Sequence, residues 1–454
     1  MDTTQEKVHV NPGSNGDKID EISDTEQGTY EQGIQKFHRL GWKRLTILLF
    51  VEAIALGSLS IPAAFATLGM VAGVICCVGI GLIAMYTSYI VGQVKVAYPD
   101  VTHYADAGRL IMGYFGYELI NLMLILQLLF LVGSHCLTGT IALVTITGSD
   151  ICSSIFAVVS MVILILLAIP PSFAEIAILG YVDFISIIAA IGITIIGTGV
   201  QATQSPGLSH VGWSAWPSPN ATFYDAFIAI ANLTFAYSFA MCQFSFMDEM
   251  HTPKDYIKSV LVLSILEIII YTVTGATIYA FVGQDVRSPA LLSAGHVLSR
   301  VTFGVALPVI FISGSICTTV LGRLIHGRVF RNSNIRFVST KVGWITWISL
   351  VIFITILAFV IAEVIPFFDN LISISSSLFI TGFAFYFPAI MWFKLLREGE
   401  WTSMKNLAMA LVNCCVFLIG ITVLVLGTYS SVYDIIEKYR EGQVGGTFSC
   451  GTLS

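Results

Sequence analysis

Gly57, Ser58 and Ser60 fall together just ahead of Pro62, inside an apolar run that covers residues 45–70. The run is long enough to cross a bilayer, which takes about 20 apolar residues. Its middle is a poor helix, because glycine is conformationally loose and proline has no amide hydrogen. In a membrane the backbone freed at such a point survives only if buried in protein or lining a polar cavity. Residues 55–60 are therefore a candidate ligand site. A second run, residues 224–247, carries Asn232, Thr234, Tyr237, Ser238 and Gln243 among apolar neighbours. Two interpretations fit this pair. They are helices broken at mid-membrane, whose amides and carbonyls hold a polar ligand between them, or ordinary spans that pack through small residues.

Ionisable side chains inside apolar runs are the other source of chemistry, since they are expensive there. Glu52, His135, Asp183 and Glu267 are the internal ones, with Glu118 and Glu363 close to run ends. Glu52 stands five residues before Gly57, where a carboxyl group can take up and release a proton or simply bond to a neighbouring helix. His135 titrates near neutrality when unperturbed, although a lone buried histidine also serves as a hydrogen-bonded core residue. Asp183 and Glu267 fall in the cytoplasmic thirds of their runs, within reach of water, and are read as structural. Ser313, Ser315, Thr318 and Thr319 either line a cation site or bond back to their own helix. No HExxH motif and no paired intramembrane aspartates occur, so no enzyme constellation is present. Without CxxC or Cys/His ligand spacing, no metal or other cofactor is expected.

Most of the chain must lie in lipid to position these groups. Of 454 residues 56% are hydrophobic and 11% charged, against about 25% charged in a soluble domain. Apolar segments fall at about 45–68, 71–94, 117–146, 153–169, 177–200, 224–247, 260–282, 301–322, 342–364, 371–393 and 407–429. With the N-terminus cytoplasmic, only Arg287, Arg300, Lys438 and Arg440 of the 22 lysines and arginines fall on the outer side, as the positive-inside rule requires. The same orientation puts the sequon at Asn220 outside, where it is a glycosylation site. The sequon at Asn232 lies within a span and is expected to stay unmodified. The seven tryptophans, Trp42, Trp213, Trp216, Trp344, Trp347, Trp392 and Trp401, fall near segment ends or in loops and suit an interfacial belt.

Residues 1–44 read as a disordered cytoplasmic tail ending in the basic and aromatic collar KFHRLGWKR, residues 45–429 as the transmembrane domain and residues 430–454 as a C-terminal tail. No positively charged start leads into a short apolar stretch, so the first span is expected to act as its own signal. There is no basic face for nucleic acid. Cysteines sit mostly inside apolar runs, and Cys136 with Cys152 is a pair able to meet near the outer face.

The segment SLSIPAAFATLG, residues 58–69, resembles the first-span signature of the amino acid/auxin permease family, roughly G-T-G-I-L-S-L-P-x-A-F-x-x-x-G. Gly57, Leu59, Ser60, Pro62, Ala64, Phe65 and Gly69 match. YPDVTHYADAGRLIMGYFG at 98–116 is similar to the loop after span two, Glu249, Met250 and Pro253 to the E-M-x-x-P after span six, and residues 366–393 to span ten with its terminal proline at Pro388. Within the family, residues 39–70 are most similar to fungal neutral amino acid permeases of the methyltryptophan-resistance type. The chain departs from the pattern at Ala55 and Leu56, which replace G-T, and at residues 237–240, YSFA, where F-x-G-H is frequent.

That resemblance implies an all-α integral membrane protein of about eleven transmembrane helices, a LeuT-like 5+5 inverted repeat with helices 1 and 6 broken. It implies secondary active transport of neutral, aliphatic or aromatic, amino acids by proton symport, at the plasma membrane or alternatively a vacuolar membrane. An amino acid carries a carboxylate and an ammonium, and two broken helices offer both complements. Amides of Leu56, Gly57, Ser58 and Leu59, with Ser60 beside them, are placed at the carboxylate. Carbonyls of Phe235, Ala236 and Tyr237, with Ser238 beside them, are placed at the ammonium. Glu52 matches an asparagine that helps hold sodium in sodium-coupled members, so here it and His135 are the proton-coupling candidates. Ser315, Thr318 and Thr319 fall where LeuT-like folds place a cation against span one. The expected partners are the amino acid, protons and the bilayer, with regulators of the N-terminal tail. A sensor that binds amino acid with little flux is the alternative from another class.

Overall fold

The computed structural model describes residues 41–54, 57–149, 151–171, 173–204, 207, 210–219, 221–330, 338, 340–442 and 450. Helices in chain order are α1 (Trp42–Ala53), α2 (Gly57–Leu68), α3 (Met70–Ala97), α4 (Tyr104–Thr147), α5 (Ser153–Ala168), α6 (Phe173–Thr203), α7 (Phe223–Ala236), α8 (Gln243–Asp248), α9 (Tyr256–Val282), α10 (His296–Val329) and α11 (Lys341–Val364). They are followed by α12 (Phe368–Leu396) and α13 (Met404–Arg440). Eight helices are long and apolar enough to cross a membrane, and α2, α5 and α7 are shorter apolar helices. Among the described residues no β-strand runs.

The apolar segments read from the sequence fall on helices, interrupted within 45–68 and 224–247, but the ends differ where charge is neutralised locally. α13 continues through Lys438 to Arg440 because Lys438 pairs with Asp434 at 2.7 Å, one turn back. α10 runs on to Val329, with Arg328 paired to Glu118 of α4. α4 is two helices fused at Gly113, whose φ of 67° breaks the regular path and favours glycine.

Small residues let the central helices approach. The ring of Phe65 on α2 occupies the space a side chain would need at Gly73 of α3 (2.9 Å) and at Gly275 of α9 (2.6 Å). Gly69, with φ 83°, turns α2 into α3, and the backbone of Trp216 lies where its Cβ would be, at 2.5 Å. The loop around Trp216 also covers the start of α3. Met70 and Val71 donate their amides to Ser214 O (2.8 Å) and Ala215 O (2.9 Å), satisfying donors that a helix start leaves unpaired.

One possibility is closed and one expectation corrected. Cys152 bonds to Cys450, and Cys136 faces inward, its thiol 3.9 Å from Ala157 O of α5. The tryptophans do not form a complete belt, because Trp347 is fully buried and Trp392 nearly so. The Trp347 indole donates to Ile169 O at 2.8 Å, closing the carbonyl end of α5. Asn220 and residues 1–40 lie outside the described residues.

Candidate functional site

Both sequence-read breaks exist. α1 ends at Ala53, Ile54 leaves helical geometry with φ −91° and ψ 68°, and α2 starts at Gly57. α7 ends at Ala236, Tyr237 has φ −96° and ψ 38°, and a 3₁₀ turn, Ser238–Met241, leads into α8. The expected unwound stretch, 55–60, lies slightly too far along the chain. Gly57, Ser58, Leu59 and Ser60 already form the first turn of α2, at the positive end of its dipole. Pro62 sits inside α2, past that first turn, where it supplies no amide to the helix.

The two breaks touch. A Cβ at Gly57 would lie 2.8 Å from Ala236 Cα and 3.3 Å from Ala236 N. Ser60 donates to Gly57 O at 2.9 Å, steadying that first turn. The Tyr271 hydroxyl, from α9, bridges the end of α1 and the end of α7, donating to Ala53 O (2.8 Å) and Ala236 O (3.1 Å). Its ring meets that of Tyr237 edge-on at 5.2 Å. Tyr237 in turn donates to Cys77 O of α3 at 3.0 Å. Phe235, Ala236, Tyr237 and Phe239 are all buried, and Ser238 is half-buried. The arrangement sets a positive helix start against the carbonyl ends of two other helices, within a neutral, aromatic surround.

The remaining sequence candidates are dispersed. Glu52 is the penultimate residue of α1; its side chain and the whole of Leu56 lie outside the described residues. His135 is buried on α4, with Nδ1 at 2.8 Å from Ile310 O of α10. Ser315 and Thr318 donate back to Ile312 O (2.8 Å) and Gly314 O (2.9 Å) of their own helix. Thr319 is buried with its hydroxyl unbonded among the described residues. Ser313 donates to Asp183 at 2.6 Å, tying α10 to α6. Among the described residues no group of three or more His, Cys, Asp or Glu is placed to hold a metal ion.

Tyr271 was not singled out from the sequence, since an aromatic in an apolar run looks like core. Two further features were equally hidden. α12 contains π-helical stretches at Ser376–Ile380 and Gly382–Tyr386, a geometry that recurs at functional positions. Ser375 just before them donates to Gln127 of α4 at 2.8 Å, while the hydroxyls of Ser376 and Ser377 are buried without partners among the described residues. On the side read as cytoplasmic, Lys95 is buried and donates to Pro99 O (2.8 Å), Val101 O (2.7 Å) and Asp248 (2.6 Å). On the opposite side, Asp369 of α12 accepts from Asn232 of α7 (3.1 Å) and from Ser288 (2.5 Å).

Residues 38–433 match a family model described as transmembrane amino acid transporter protein. The chain is 54% identical over 452 residues to an N amino acid transport system protein of Neurospora crassa, covering 98% of this chain and 96% of that one. It is 27% identical to a transmembrane transporter of Gibberella moniliformis, over 95% of this chain and 93% of the relative. Among solved structures it is similar to Mhp1, a nucleobase-cation-symport-1 family transporter, in a closed conformation with bromovinylhydantoin bound. That likeness has a TM-score of 0.53 at 14% identity and covers 91% of this chain and 95% of Mhp1.

Proposed function

The chain belongs to the transmembrane amino acid transporter family, and from that membership we propose that it is a secondary active carrier that moves neutral amino acids, aliphatic or aromatic, into the cell by proton symport. The observation that carries this reading is the contact between the two breaks, with Gly57 against Ala236. A zwitterion needs donors and acceptors a few ångströms apart. The amides of Gly57, Ser58 and Leu59, with Ser60, in the first turn of α2, together with that of Leu56, are assigned to the carboxylate. Carbonyls near Phe235, Ala236 and Tyr237, with Ser238, receive the ammonium. Phe235, Tyr237 and Phe239 supply apolar surface with no charge to match, which favours uncharged side chains.

The spans are assigned as eleven, in two inverted five-helix halves headed by the broken helices. α1 with α2 forms the first span, and α7 with α8 the sixth. The domain so formed runs over 45–429, between tails at 1–44 and 430–454, with the N-terminus inside and the plasma membrane as its site. The Cys152–Cys450 bond supports that orientation, because with the N-terminus inside both cysteines fall on the outer face, where disulfides persist. Glu52, beside the first break, and His135 are assigned to proton coupling. Ser315, Thr318 and Thr319 are assigned to a subsidiary cation position.

Competition separates this carrier from one for other solutes. Unlabelled neutral amino acids should abolish uptake of a labelled one. Their methyl esters, which lack the carboxylate, and the corresponding amines should not. Equal competition by the esters would remove the role given to the first turn of α2.

A further inference from the structure

Glu267 of α9 is fully buried, and neither carboxyl oxygen has a hydrogen-bond partner among the described residues. Its place is specific. It lies one helical turn before Tyr271, and residues four apart share a face of a helix. Tyr271 is the residue whose single hydroxyl bridges Ala53 O and Ala236 O. A buried acid without a partner among the described residues thus stands one helical turn from the residue that bridges the two broken helices.

Among the described residues, the one buried basic side chain on a helix packed against α9, Lys95 of α3, is paired with Asp248. α3 contributes Cys77, bonded within the Tyr237 and Thr272 cluster. α2 has no ionisable side chain. α1 carries Lys43, over the Trp42 ring and exposed, together with Arg44 and Glu52. α6 offers Asp183, which is engaged with Ser313 of α10, and the exposed Tyr181. An ionised carboxylate in such surroundings lacks both water and a counter-ion and is costly. A neutral carboxylic acid fits them.

Resting on the proton-symport reading above, we infer that Glu267 is a further proton-carrying residue beside Glu52 and His135, and that Tyr271 relays its state to the helix breaks. With Glu267 protonated, the Tyr271 hydroxyl stays on the two carbonyls and the breaks are held together. The proton is taken by a carboxylate oxygen from water in the outward-facing state and is returned to water in the inward-facing state, with no change in oxidation. Once Glu267 is ionised, its carboxylate competes for the Tyr271 hydroxyl and frees Ala53 O and Ala236 O. Coupling follows because closure around substrate requires the neutral acid.

Full-length wild type and Glu267→Gln are compared in cells, by concentrative uptake over a pH series and by exchange of internal for external amino acid. Glu267→Gln, which mimics the neutral acid, should retain exchange and lose acid-stimulated accumulation by about tenfold or more. Glu267→Asp should restore part of the accumulation with a displaced pH profile. Should the variants fail to reach the membrane, wild type treated with dicyclohexylcarbodiimide provides the test. The reagent attacks protonated carboxyl groups in apolar surroundings, so the Glu267 peptide should be modified at neutral pH, in step with loss of accumulation. An unmodified Glu267 peptide, or wild-type pH dependence in Glu267→Gln, overturns the inference. A flat pH profile in Glu52→Gln with an intact one in Glu267→Gln moves the role to Glu52. If wild type itself moves no protons with substrate, the symport reading falls and takes this inference with it.

Discussion

A methyl group at position 57 would press on backbone, not on a side chain that can turn aside, because the nearest atom is Ala236 Cα at 2.8 Å. Gly57→Val should therefore separate the two breaks and crowd the carboxylate position, lowering uptake by about tenfold or more with surface expression preserved. Normal uptake, measured beside surface labelling, would show that the contact is dispensable. Tyr271→Phe removes the one hydroxyl that meets Ala53 O and Ala236 O. Buried acceptors without a donor cost about 1–3 kcal/mol. The loss should reduce exchange and accumulation together, and so differ from Glu267→Gln. Gly57 was legible in the sequence, because a glycine shortly before a proline weakens an apolar helix whatever packs around it. Glu267 stood out as an ionisable residue inside an apolar run but was read as structural, and Tyr271 gave no sign. Their importance comes from what α9 lies against, and periodicity along one helix does not contain that.

At the scale of elements, each break divides an apolar segment into two helical pieces, α1 with α2 and α7 with α8. α8 is fastened by Lys95 of α3, whose ammonium has three acceptors including Asp248 at 2.6 Å. Gln243 reinforces the same seam, donating to Ser88 O (2.8 Å) and accepting from the Ser88 hydroxyl (2.7 Å). Lys95→Met leaves the two carbonyls unpaired and should lower the melting temperature in detergent, by an amount that corresponds to about 1–3 kcal/mol. An unchanged melting temperature would mean that the clamp contributes nothing to the closed seam. Composition left the breaks as one of two interpretations, which the family resemblance favoured, and their positions did not follow fully. Ile54, a good apolar residue, begins the first break, since what ends α1 is the packing of its carbonyl end against Tyr271. The π-helical turns of α12 were invisible for the same reason. Ser375, Ser376 and Ser377 read as an ordinary polar insertion until Gln127 of α4 is placed beside them.

For the whole molecule, hydropathy and the distribution of lysine and arginine were enough to lay out the helices and a direction, because lipid imposes one rule on every span. The pairing of Cys152 with Cys450, 298 residues away, was not accessible, because nothing local links a loop to a distant tail. The direction has its own test in the loop after α6. Asn220→Gln should abolish the shift that glycosidase produces in wild-type mobility, and a cytoplasmic reporter reading from that loop would reverse the orientation. The central claim is that the broken-helix site moves a neutral amino acid together with a proton. It is tested most directly in liposomes that contain the purified chain and no sodium, with an inward proton gradient imposed. The account predicts accumulation of a labelled neutral amino acid above its outside concentration, collapsed by a protonophore and unaffected by adding sodium. Equilibration without accumulation, or accumulation that appears only with sodium, would contradict it.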